Sequence, residues 1–172
     1  MQQEAPGSAV SSLLVDNESG ALARIIGLFS GRGYNIRSLT VAPVDEHSLV
    51  SRVNIVTTGT LADIRQIKAQ IERLTPVSRA VDLSSAGPHV AREMALIKVV
   101  SSGESRTEAL RIADAFRARA VDTTASSFVF ELTGSSDKLD SFIELMRPLG
   151  LAEVSRTGIA AICRGPQTIQ NP

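Results

Sequence analysis

The same order of hydrophobic patterns occurs twice in this chain, offset by about 85 residues, and that repeat restricts the fold more than any single motif does. In the first half, an apolar run at about Val10–Val15 leads through a polar turn, Asp16 to Gly20, into a helical stripe. The stripe is Leu22, Ile25, Ile26 and Phe29, the i, i+3, i+4, i+7 spacing of one buried face. Asn17 or Ser19 is expected to cap this helix, which runs from about Gly20 to Arg32, and Gly31 and Gly33 to stop it. Strands are expected at about Asn35–Ala42 and Leu49–Thr57, parted by Pro43 and the turn Asp45-Glu46-His47. Leu49, Val53 and Ile55 share one face of the later strand. Thr60 is placed to cap a helix with Leu61, Ile64, Ile67, Ile71 and Leu74 as its stripe, and Val77–Leu83 reads as a fourth strand.

Ser84-Ser85-Ala86-Gly87-Pro88 reads as linker, and the pattern then restarts. Met94–Val100 is a strand, and Ser105-Arg106-Thr107-Glu108 has the form of a capping box opening a helix to about Arg119, with Leu110, Ala113 and Phe116 inward. Val121–Thr124 and the alternating Phe128, Phe130 and Leu132 give two more strands. A helix capped by Ser136 carries Leu139, Phe142, Ile143 and Met146 on its buried side, and Pro148-Leu149-Gly150 ends it. The last strand is Ala152–Ile162, with Gly158 as a bulge. Each half is therefore βαββαβ, and the fold class expected is α+β: two ferredoxin-like sandwiches in tandem, each an antiparallel four-stranded sheet with two helices on one face. The boundaries are a tail at 1–8, a first domain at 9–84, a linker at 85–93, a second domain at 94–164 and a tail at 165–172.

Composition narrows the function. Lys and Arg number 18 and Asp and Glu number 18, so no net field draws the chain to nucleic acid or anionic lipid. The N-terminal residues have neither a basic region nor an apolar run, no stretch suits a membrane span, and the single Cys163 has no partner for an internal disulfide. A soluble, cytoplasmic protein is expected. Gly31-Arg32-Gly33 lies at a helix end, where no amides await a phosphate, and reads as a stop rather than a dinucleotide fingerprint. Cys163 reads as a buried structural thiol, and His47 and His89 as loop histidines without ligand-type neighbours. No constellation for nucleophilic, acid–base or metal catalysis is visible.

Three readings remain on the residues alone. The turn Asp16 to Gly20 joins a strand end to a helix start, where free amides favour an anion and Gly20 permits close approach, which suits a binding module for a small zwitterion. Ferredoxin-like sheets also bind RNA, but this chain has only five Phe and one Tyr to stack on bases. The third reading is a small enzyme whose site the sequence does not advertise.

Longer runs then become specific. Asp16-Asn17-Glu18-Ser19-Gly20-Ala21-Leu22, Gly27-Leu28-Phe29-Ser30, Arg32-Gly33-Tyr34-Asn35-Ile36 and Ser38-Leu39-Thr40-Val41-Ala42-Pro43 resemble the small regulatory subunits of bacterial acetolactate synthase. So do His89-Val90, Arg92-Glu93 and Arg156-Thr157-Gly158; the N-terminal extension and the Pro43–Leu49 turn depart from the pattern. The resemblance implies an ACT domain first and a ferredoxin-like domain second. It implies a chain without an active site, homodimeric through its ACT domains, partnered by a large catalytic subunit that carries thiamine diphosphate, Mg²⁺ and FAD. That partner would be activated, and made sensitive to valine or a related branched-chain amino acid. A stand-alone ACT sensor is the alternative. The residues matching the effector site are Asn17, Gly20, Ala21, Leu22, Asn35 and Ile36. Amides near Gly20 would take the carboxylate, Asn17 and Asn35 the polar ends, and Leu22 and Ile36 the aliphatic tail, unless those two are plain core.

Overall fold

Strands in this chain bury either one face or both, and that difference distinguishes its two halves. The computed structural model describes residues 7–44, 46–47 and 49–170, so Asp45 and most of the expected N-terminal tail lie outside the described residues. The elements are β1 (Gly7–Asp16), α1 (Ala21–Arg32), β2 (Asn35–Pro43), β3 (Val50–Gly59), α2 (Leu61–Ile71), β4 (Val77–Asp82), α3 (Leu83–Ala86) and β5 (His89–Val100). They continue with α4 (Gly103–Phe116), β6 (Arg119–Thr123), β7 (Ser127–Gly134), α5 (Ser136–Met146), β8 (Leu151–Arg156) and β9 (Ala160–Cys163). The chain divides into two compact units, one running to Ala91 and resuming at Ile159, the other Arg92–Gly158.

In the first unit the sheet order is β2-β3-β1-β4, every pairing antiparallel, so β2 is an edge strand. Leu13 and Val15 of β1 and Val53 and Ile55 of β3 face α1 and α2, meeting Ile25, Phe29, Ile67 and Ile71. Leu14 and Val81 point the other way and are covered by Leu83 of α3, Ala161 of β9 and Ile169. Because β1 is buried on both faces, Leu13-Leu14-Val15 reads as a continuous apolar run rather than an alternation.

The second unit repeats the strand order as β6-β7-β5-β8. Here alternation is clean. Ala95, Ile97 and Val99 enter a core with Phe128, Phe130, Leu132, Leu139 and Phe142, while Leu96 and Val100 are exposed. Glu93, buried, pairs with Arg156, which also reaches Asp140, and the Thr157 amide donates to the Met94 carbonyl at 3.0 Å. Glu93, Arg156 and Thr157 belong to the runs Arg92-Glu93 and Arg156-Thr157-Gly158, and these contacts fasten β8 against β5. Both units have the expected ferredoxin-like βαββαβ order.

Several local expectations change. The final strand is not continuous: Gly158 takes φ +83°, the strand divides into β8 and β9, β9 pairs with β5, and residues from Ile159 onward group with the first compact unit. The expected tail after 164 includes Ile169, which is buried. The 84–88 linker begins as the short helix α3, capped by the Asp82 side chain. Helix α4 starts at Gly103, ahead of the Ser105–Glu108 box, and its core face is Ala109 and Ala113 while Leu110 is exposed. Ser135, not Ser136, is the N-cap of α5, and Gly31 lies inside α1, whose left-handed cap is Gly33 alone. Leu49 and Leu61 are exposed, and Cys163 is half-buried.

Candidate effector site

The helix start that follows β1 is built by backbone bonds, not by a side-chain cap. The Asp16 amide donates to Pro76 O at 2.8 Å and the Asn17 amide to Leu49 O at 2.6 Å, which ties the turn to both neighbouring loops. The N-cap of α1 is Gly20, at φ +86° and ψ −6°, and no side chain caps it, so neither Asn17 nor Ser19 plays the expected part. A β-branched or bulky residue would be strained in that left-handed conformation. An added Cβ at Gly20 would meet nothing within 4 Å in this chain, so backbone geometry, and not crowding, requires the glycine. The Ala21 amide folds back to Glu18 O at 3.2 Å and the Arg24 amide makes the first helical bond, to Gly20 O at 3.0 Å. Between them the amides of Leu22 and Ala23 have no acceptor among the described residues, as is usual at a helix N-terminus. Arg24 and Glu18 form an exposed ion pair at 2.8 Å beside the turn.

The helix face differs from the expected stripe by one position. Ala21, Ile25 and Phe29 are buried, Leu22 is half-buried, and Ile26 is 42% exposed on the flank. Asn35 begins β2 and is exposed, its Nδ2 donating to Thr58 Oγ1 at 3.2 Å, while Ile36 packs against the first unit's core. The structure therefore brings Asn17, Gly20, Ala21 and Leu22 together at one end of α1 and leaves Asn35 and Ile36 at the other. A 12-residue helix separates them by about 18 Å. Within one chain they do not form one pocket. Among the described residues, no helix is long and apolar enough to cross a membrane, and no group of three or more acidic, His or Cys side chains is placed to hold a metal ion.

The family model of the ACT domain like that of the acetohydroxyacid synthase small subunit matches residues 12–79, and that of the small subunit of acetolactate synthase matches residues 92–165. The acetolactate synthase isozyme 3 small subunit of Escherichia coli (strain K12) is 43% identical over 94% of this chain and 98% of its own. The small subunit of Bacillus subtilis (strain 168) is 42% identical over 92% and 91% respectively. The chain belongs to the acetolactate synthase small-subunit family. A crystal structure of the acetolactate synthase small subunit from Thermotoga maritima superposes with a TM-score of 0.84 at 33% identity, over 92% of this chain and 98% of that one. The first family range holds both halves of the candidate site, and the second holds the Glu93–Arg156 pair. The unit boundary at Ala91/Arg92 coincides with the start of the second range.

Proposed function

We propose that this chain is the non-catalytic regulatory subunit of an acetolactate synthase. It activates a large subunit, which would carry thiamine diphosphate, Mg²⁺ and FAD, and makes it subject to feedback inhibition by valine or another branched-chain amino acid. Family membership supports the partnership. The observation that carries the effector reading is the left-handed Gly20 at the start of α1, with unpaired Leu22 and Ala23 amides beside it. A carboxylate there gains about 0.3–2 kcal/mol from the helix dipole, and charged hydrogen bonds add about 1.5–3 kcal/mol.

The site spans two chains. One amino acid cannot bridge the helix length that separates Asn17 from Asn35 within a chain. Strand β2 is an edge strand, free to pair antiparallel with a second copy about a twofold axis. Such pairing sets the partner's Asn35 and Ile36 beside this chain's turn and gives two equivalent sites per dimer.

The test reconstitutes the large subunit with variants of this chain. Gly20→Asp places a fixed negative charge where the effector carboxylate would sit. Valine inhibition should disappear while activation persists, because allosteric coupling amounts to only about 1–3 kcal/mol. Gly20→Ala, which adds backbone strain but no charge, should keep most of the inhibition. Gly20→Asp and Asn35→Ala homodimers should each fail to bind valine. Their mixed dimer gathers both lesions in one site and should bind about one valine per dimer by calorimetry. Absence of binding in a folded mixed dimer would overturn the two-chain site; retained inhibition in Gly20→Asp would overturn the assignment of the turn.

A further inference from the structure

On the face of the first unit's sheet opposite α1 and α2 there is a cavity of about 370 Å³, open on one side. Leu14, Val44, Val50 and Ile169 give it aliphatic walls, and Arg52 enters it from β3. The Ile169 wall is held by its carbonyl, which accepts from Arg79 Nε at 3.2 Å. Arg52 is incompletely paired. Its Nε donates to Ser12 Oγ at 3.0 Å, but its Nη2 is buried and has no acceptor among the described residues. Burial pulls the guanidinium below its usual pKa, opposed by the nearby Cys163. A buried charged donor without an acceptor is unfavourable, and native chains rarely leave one so.

Among the described residues that line the cavity none is acidic, so the wall offers Arg52 no carboxylate. Ser78 already donates its hydroxyl hydrogen to Leu14 O at 3.2 Å, leaving Arg52 and the Gln170 amide as the side-chain donors. The planar guanidinium fork matches a carboxylate. The volume falls at the small end of ligand pockets, and the remaining walls are branched aliphatics. An ammonium group would find no carboxylate partner here, which disfavours an amino acid. We propose that this cavity binds a small monocarboxylate with a branched aliphatic tail and no ammonium group, its carboxylate on Arg52 and its tail against Leu14, Val50 and Ile169. The site is complete within one chain and independent of the turn at Gly20.

Calorimetry on the full chain with isobutyrate, its neutral isostere isobutyramide, and valine tests this. Isobutyrate should bind saturably at millimolar concentration, and isobutyramide at least tenfold more weakly. Arg52→Met should weaken isobutyrate at least tenfold, whereas Gly20→Asp should leave it unchanged and lose valine alone. The ¹⁵N resonance of Arg52 Nε should move on titration with isobutyrate and not with the amide. Because Arg52→Met removes a buried donor atom that has no acceptor, at the cost of the bond to Ser12, it should unfold at a nearly unchanged temperature. Should that variant fail to fold, the acid–amide comparison and the Nε resonance on the natural chain decide. Equal binding of acid and amide, undiminished binding in folded Arg52→Met, no saturable binding at all, or loss of isobutyrate in Gly20→Asp would each overturn the proposal.

Discussion

Gly20 and Gly150 both hold left-handed backbones, yet a methyl group would meet very different surroundings at the two positions. At Gly20 it meets open space. At Gly150, with φ +99°, it would collide with the Val100 carbonyl oxygen, part of the backbone that Gly150 itself accepts from at 2.8 Å. Steric overlap with a fixed backbone adds to the conformational penalty, so Gly150→Ala should destabilise the second unit by about 3 kcal/mol. Urea unfolding followed by a probe in that unit measures it, and a loss under about 1 kcal/mol would contradict the geometry. The sequence marks Gly150 as a helix stop but says nothing of the carbonyl it faces, because Val100 is distant in the chain. Arg52 was illegible for the same reason: a lone cation within a strand reads as a solvated face until a third segment closes over it. Asn17 shows the opposite failure, a good cap by residue type whose turn is held by backbone bonds to Leu49 and Pro76 instead.

Among the elements, α2 is the one whose start follows its sequence most closely. Thr60 Oγ1 accepts from the Asp63 amide at 3.2 Å, and Asp63 Oδ2 accepts from the Thr60 amide at 3.0 Å, a complete capping box. Thr60→Ala should cost about 1 kcal/mol of stability. The Thr60 hydroxyl and then its backbone amide hold the Asp63 carboxyl below the usual carboxylate range. A depressed folded-state pKa contributes stability that is present above the unfolded value, about 3.9, and lost as pH falls through the folded one. Below about pH 4 the natural chain should therefore weaken faster than Thr60→Ala, and parallel acid-unfolding curves would refute the linkage. Helix α4 did not follow its apparent signal. Its Ser105–Glu108 box lies within the helix because Ala109 and Ala113, small enough to approach the sheet, set its phase in place of Leu110. Periodicity located both repeats, but with a small residue on the buried face the larger neighbour misleads the phase.

For the whole molecule, the repeat was legible and the path of the chain between units was not. Both sheets have the order that two βαββαβ patterns imply. What local pattern could not convey is that the chain leaves the second unit at Gly158 and completes the first. Ala161 and Ile169 are ordinary apolar residues in a stretch that reads as strand end and tail, and only the apolar outer face of β1 and β4 explains their burial. A chain ending at Arg164 would lose the Ile169 side chain and the Arg79–Ile169 bond. It should cost the first unit about 2–4 kcal/mol. Hydrogen exchange should show faster exchange along β1 and β4 and unchanged protection in β5 and β7; uniform loss across both units would contradict the division.

That return path also orders events during synthesis. The first unit's strands and helices leave the ribosome early, at a translation rate of about 5–20 residues per second. Leu83 is made with that unit, but Ala161 and Ile169, which complete the cover over Leu14 and Val81, follow only after all of Arg92–Gly158 has been made. During that interval of several seconds the nascent sheet carries a partly uncovered apolar face, the kind of surface chaperones recognise. The second unit, whose strands and helices are contiguous in the chain, is free of this delay and should reach its native protection first, although it is translated later.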